Sequence, residues 1–209
     1  METLNKLHIF FYNSDNTVAR KILMFNAILR SKLLYGLDTM VMNTGVLRRL
    51  DVFQMKGLRK MLEIPTTYID HQYSNAYVHQ KINEKLQQTG NPPIITLSEY
   101  HKKSRIKFLI KLINEGETEP CTAVTFNPST LLPLDHGKKR VGQPRLNWFK
   151  VTIQDLWELI KTKVDTVKYA SALNLTDARH VAALRTYAEE NKAKDKPTSY
   201  PRESIEQKD

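Results

Sequence analysis

The sequence predicts a mainly α-helical protein, an irregular helical bundle with a long surface loop and a disordered C-terminal tail. Three observations carry that expectation. Only seven glycines occur in 209 residues. Apolar residues recur at spacings of three and four in several segments, the period of a helix with one buried face. β-Branched residues do not gather into the alternating runs a half-buried strand needs. Apolar content is 41%, ordinary for a chain that buries a core over most of its length. Cys121 is the only cysteine, which leaves no internal disulfide framework and no Cys-rich zinc site.

Residues 3–12 read as a short amphipathic helix ended by the polar "NSDN". In the next segment Val18, Ile22, Phe25, Leu29 and Leu33 follow at spacings of four, three, four and four. Asn16 or Thr17 is placed to cap that helix, and Gly36 marks its end or a close contact. A second helix, "TGVLRRLDVFQMKGLRKMLEI", stops at Pro65. At about 100° per residue, Val46, Leu50, Gly57 and Met61 share one face, while Lys56, Arg49 and Lys60 step round beside it at roughly 20° intervals. Arg48 and Arg59 extend that basic side. Residues 1–64 are therefore expected to form a helical hairpin or bundle.

Residues 65–115 follow as a helical connector. Val78, Ile82 and Leu86 lie at i, i+4 and i+8 in a helix closed by Gly90. Thr96 and Glu99 make a capping-box pattern that opens another helix to about Asn114. Lys103, Lys107 and Lys111 form a stripe on it, opposite Ile106, Leu109 and Ile113. Residues 116–144 show no sustained period and read as a surface loop with a basic arm, with a short extended piece at 124–126. Residues 145–190 hold two more helices. The first buries Phe149, Ile153, Leu156, Trp157 and Ile160, and the second starts near Thr176 as a possible cap. Residues 191–209 are charged and polar, the composition of a disordered tail.

The net charge of +10 is unevenly placed. Lys and Arg number ten against five acids in residues 1–64, and five against none in 136–150; the two remaining stretches balance at seven to seven and ten to ten. A concentrated cationic excess is the footprint expected for a polyanionic partner. The opening "METLNKLHIFFYNS" has an apolar run of about six residues interrupted by His8, too short for a secretion signal or a membrane span. An intracellular protein with no membrane partner is expected, and "KKR" at 138–140 keeps a nuclear-import reading open.

Catalytic signatures are missing from the sequence. It contains no Asp-Asp pair, no Gly-rich phosphate loop, no G-x-S-x-G and no H-E-x-x-H. The six histidines are scattered, none at the i, i+3 or i, i+4 spacing of a helical metal site. Acids precede Cys121 and no basic neighbour is placed to lower its pKa, which argues against a nucleophile. No cofactor and no small-molecule substrate are expected. The chemistry on offer is cationic. Arg48, Arg49, Lys56, Arg59 and Lys60 are placed to meet phosphates along one helix edge, a solvated helix face being the plain alternative. In "GKKRVGQPRLNWF", Gly142 and Pro144 hold the backbone extended while Lys138, Lys139, Arg140 and Arg145 reach out, as in minor-groove arms.

The order of "AILRSKLLYGLDTM", "LRRLDVFQMKGLRKML" and "GKKRVGQPRLNW" resembles the region downstream of the palm in non-LTR (LINE-type) retrotransposon reverse transcriptases. That family carries a Leu-Tyr-Gly-like helix end, matched at residues 33–36. An L-x-x-L-D-x-F-Q-x-K-x-L-R helix follows, matched at 47–59. A late Gly-Arg-Pro-Arg-x-x-Trp is matched by Gly142, Pro144, Arg145 and Trp148, with Gln143 in place of the first Arg. The likeness spans roughly residues 5–160. It implies a polymerase thumb, a helical bundle that grips an RNA–DNA template–primer duplex, followed by a connector. It also implies backbone contacts without sequence preference from the five basic residues of the second helix. The palm with its metal-binding Asp pair is not in these residues, so no nucleotide addition is expected from this chain alone. A truncated, non-catalytic nucleic-acid-binding piece is the expectation; a helical interaction module, or a remnant without a selected role, is the alternative.

Overall fold

The computed structural model describes Phe11 and residues 16–134, 147–161 and 172–192. The rest of the helix expected at 3–12, the basic arm with Lys138, Lys139, Arg140 and Arg145, and the tail beyond Lys192 lie outside the described residues. Among the described residues the protein is mainly helical. Its helices are α1 (Val18–Leu33), α2 (Thr44–Leu62), α3 (Asn75–Gln87), α4 (Leu97–Glu115), the single turn α5 (Pro120–Ala123), α6 (Trp148–Ile160) and α7 (Ala178–Lys192). The chain divides into two compact units, Met1–Arg105 with Leu146–Trp148, and Ile106–Arg145 with Phe149–Asp209.

In the first unit α1, α2 and α3 pack on one another. The Thr17 hydroxyl accepts from the Arg20 amide at 3.3 Å and so caps α1, as expected. Ile22, Phe25 and Leu29 are buried along its periodic face. Gly36 sits at φ 69° with nothing near its α-carbon side, so it serves the turn and not a close contact. Asn43 caps α2 by accepting from the Val46 amide at 2.8 Å. Ser74 does the same for α3 through Tyr77, and α3 buries Val78, Ile82 and Leu86. Burying each of these aliphatic side chains contributes about 1.5–3 kcal/mol.

The α2 wheel needs correction. The helix buries Gln54, Met55, Gly57, Leu58, Arg59 and Met61, whereas Val46 is 39% exposed. The core face is thus turned from Val46 toward Gln54 and Leu58. The physical reason is polar. The Gln54 amide Nε2 donates to the Ile95 carbonyl at 3.0 Å and its Oε1 accepts from the Leu97 amide at 3.0 Å. Asp51 accepts from the Ser98 amide at 2.9 Å and the Ser98 hydroxyl at 2.6 Å. These two side chains satisfy orphan amides at the start of α4, which every helix N-terminus must place somewhere. Thr96 supplies the local cap, accepting from the Glu99 amide at 3.2 Å.

His101 of α4 is 2% exposed and its Nε2 donates to the Leu37 carbonyl at 3.0 Å, since a carbonyl oxygen can only accept. Burial holds its pKa below the usual value; Arg105 adds to this, while the Leu37 carbonyl and Asp38 oppose it. The unfolded chain therefore takes up this proton first, and stability should fall as pH drops below about 6.5. In urea titrations the wild-type midpoint is expected to be lower near about pH 5.5 than near about pH 7.5, with His101→Gln flattening that step. An equal step in the variant counts against a titrating His101.

In the second unit, residues 116–134 are more structured than the surface loop expected there. Thr122, fully buried, donates its hydroxyl to the Leu112 carbonyl at 3.3 Å. Phe126 pairs with Pro133 in an isolated antiparallel bridge, and its ring stacks on Phe149 with centroids 4.8 Å apart. Arg185 of α7 donates to the Pro128 and Ser129 carbonyls, closing that loop on the helix. α6 buries Phe149, Ile153, Leu156, Trp157 and Ile160, the five residues the periodicity selects. Thr176 is not the α7 cap: its amide and hydroxyl donate to Asn174, while the Asp177 carboxylate accepts from the Arg179 amide at 2.9 Å. An ionised carboxylate is the stronger acceptor at a helix start.

Candidate nucleic-acid interface

α2 separates its polar residues by direction. Asp51, Gln54 and Arg59 point into the first unit, and Arg48, Arg49, Lys56 and Lys60 are exposed. Among the described residues no carboxylate pairs with any of those four cations; the nearest acid in the helix, Asp51, is committed to Ser98. Lys103 and Lys111 on α4 contrast with them. Lys103 pairs with Glu99 at 2.8 Å, and Lys111 with Glu119 and Glu115 at 3.3 and 3.6 Å.

Gly45, Arg48, Arg49, Val52, Phe53 and Lys56 line an open groove of about 450 Å³ on the outer side of α2. Three of its six lining residues, Arg48, Arg49 and Lys56, are cations. Each cation placed on a phosphate releases condensed counterions, so such a face binds polyanions with affinity that falls with salt. Its charges lie on one rigid helix of 19 residues, about 28 Å long.

Arg59 does not belong to this face. It is 9% exposed and its guanidinium donates to the Pro65 carbonyl at 2.8 Å, the Tyr73 carbonyl at 2.7 Å and Asn75 Oδ1 at 2.9 Å. The expectation that Arg59 meets a phosphate is corrected accordingly: a phosphate would have to displace three acceptors already in place. Lys138, Lys139, Arg140 and Arg145 lie outside the described residues.

The turn after α1 and the late tryptophan meet in the first unit. Trp148 Nε1 donates to the Asp38 carbonyl at 2.7 Å across 110 residues of sequence, one residue from the Leu37 carbonyl that faces His101. Sequence patterns alone left the inward roles of Asp51 and Gln54 unassigned, because each depends on a partner more than 40 residues away.

Among the described residues no group of three or more His, Cys, Asp or Glu side chains could hold a metal ion, and no helix is long and apolar enough to cross a membrane. Comparisons with family models, with curated proteins and with solved structures give no match to this chain.

Proposed function

We propose that the chain is a non-catalytic nucleic-acid-binding piece of a non-LTR retrotransposon reverse transcriptase, which grips the backbone of an RNA–DNA hybrid or other duplex without sequence preference. One observation supports this above the rest. Four exposed cations, Arg48, Arg49, Lys56 and Lys60, occupy the outer side of a helix whose inner side is fixed by Gln54, Leu58 and Arg59. In this reading the helix is held rigid so that its charges keep their spacing along a phosphate backbone. Lys138, Lys139, Arg140 and Arg145 add further phosphate contacts. The ordered motifs supply the descent, and the absence of an Asp-Asp pair from the sequence is why no nucleotide addition is assigned to the chain by itself.

Anisotropy titration of the full chain against an RNA–DNA hybrid at several salt concentrations tests the proposal. Micromolar or tighter binding that weakens with salt is expected. No binding at low salt would remove it. A second reading, a helical module for a protein partner, is favoured by Val46 and Val52, which are 39% and 44% exposed on the same helix. Under it, charge reversal at Arg49, Lys56 and Lys60 leaves nucleic-acid behaviour unchanged.

A further inference from the structure

Between α2 and α3 the chain forms a loop that is tied down at its base and bare at its tip. Arg59 holds the base through Pro65, Tyr73 and Asn75. The Thr66 carbonyl accepts from the Ile69 amide at 3.0 Å, and the Asp70 carboxylate accepts from the Gln72 amide at 3.0 Å and the Gln72 side chain at 2.6 Å. At the tip Tyr68 is 96% exposed and Ile69 74% exposed. Single exposed apolar side chains are common. Here two adjacent ones, including a whole aromatic ring, stand on a backbone fixed by an arginine inside the unit.

Their position in the chain relates them to the C-terminal end of α2, where the cationic row stops. Arg59 is the sequence neighbour of Lys60, the last cation of the exposed set, so the base of the loop lies at that end of the row. Lys56 and Lys60 are about 6 Å apart along the helix axis, and Arg49 lies about 10 Å further back. A nucleic acid whose backbone follows Arg49, Lys56 and Lys60 would thus bring its end toward the loop. Every base has a π-face, so an aromatic ring there binds an unpaired base whatever its identity. A loop already held in shape loses little freedom on doing so.

We infer that Tyr68, flanked by Ile69, is a stacking platform for an unpaired nucleobase at the end of a nucleic acid lying along α2. The inference rests on the polyanion reading of α2 and adds to it a preference for ends and single-stranded overhangs over continuous duplex.

The test compares two DNA probes on the full-length protein: a closed dumbbell duplex without ends, and the same duplex with a single-stranded overhang containing 2-aminopurine. Tyr68→Ala should weaken binding to the overhang about tenfold, leave the dumbbell affinity and the salt slope unchanged, and abolish the wild-type change in 2-aminopurine fluorescence. Tyr68→Phe should behave as wild type, and both variants should keep the wild-type unfolding midpoint. If Tyr68→Ala binds the overhang as tightly as wild type while both proteins grip the dumbbell, the stacking role is overturned and the α2 reading survives. If the wild type binds neither probe at low salt, both fall. A change of oligomeric state in Tyr68→Ala on sedimentation, without loss of overhang affinity, would make the tip a contact between copies and overturn the inference.

Discussion

Gly57→Ala is expected to destabilise the protein by about 1–3 kcal/mol, although alanine is the better helix former by about 1 kcal/mol. A β-carbon at Gly57 would lie 2.1 Å from Phe25 Cζ and 2.5 Å from its Cε2, well inside contact distance. The Phe25 ring has no solvent side to move into. It is 1% exposed and meets Phe11 edge-on at 6.1 Å. Either the ring leaves its rotamer or α1 and α2 separate, and both disturb the core that holds α2. Urea unfolding should show a lower midpoint for Gly57→Ala. Adding Phe25→Leu should cost less in the Gly57→Ala background than in wild type, because the smaller side chain relieves the overlap. A midpoint equal to or above wild type in Gly57→Ala would contradict this account of the α1–α2 contact.

Arg59→Leu should cost about 3 kcal/mol, since hydrogen bonds from a charged donor contribute roughly 1.5–3 kcal/mol and the three acceptors are left to find water. Arg59→Lys should recover only part of that loss. A single ammonium cannot reach three acceptors that a planar guanidinium spans from two nitrogens. Lys56→Ala and Lys60→Ala, on the exposed side, should stay within about 0.5 kcal/mol of wild type. Binding should divide the other way. Arg59→Lys is expected to keep hybrid affinity wherever it is folded, and the two exposed variants are each expected to weaken it. Paired measurements of unfolding midpoint and affinity on these variants check the division directly. A stability-neutral Arg59→Leu would mean the guanidinium contacts are incidental.

How far the sequence disclosed this structure depended on whether the deciding partner was local. The α1 period ran through Val18, Ile22, Phe25, Leu29 and Leu33; the helix buries the middle three, and Val18 and Leu33 pack partly buried against the same core. In α6 the apolar spacing picked out every apolar residue the helix buries, because that helix buries little that is polar. α2 was harder. Its wheel favoured Val46, Leu50, Gly57 and Met61; the helix buries Gly57 and Met61 but exposes Val46, and it adds Gln54 and Leu58 to the buried side. Hydrophobicity alone gives a glutamine no inward preference, and what draws Gln54 inward is the set of backbone groups at Ile95 and Leu97. Arg59 misled for the same reason: next to Lys60 in sequence, it resembles another surface cation until its acceptors on the following loop are known. The stretch at 116–134 showed only a short extended piece at 124–126, because its order comes from one aromatic stack and a few hydrogen bonds to helices, none of which leaves a period.

The division of the α2 signature also changes what that pattern signifies. Asp51 and Gln54 tie α2 to the start of α4, and Arg59 ties it to the loop before α3. These three polar positions serve architecture. The cations around them, Arg48, Arg49, Lys56 and Lys60, are exposed.

The most direct measurement of their proposed role in binding is the salt dependence of RNA–DNA hybrid binding by wild type and by a variant carrying Arg48→Gln, Arg49→Gln, Lys56→Gln and Lys60→Gln. The account predicts weaker binding and a slope shallower by about 0.9 for each phosphate contact removed, with the unfolding midpoint held within about 0.5 kcal/mol of wild type. An unchanged affinity and slope in a folded variant would contradict it, leaving the outer side of α2 as a solvated helix face.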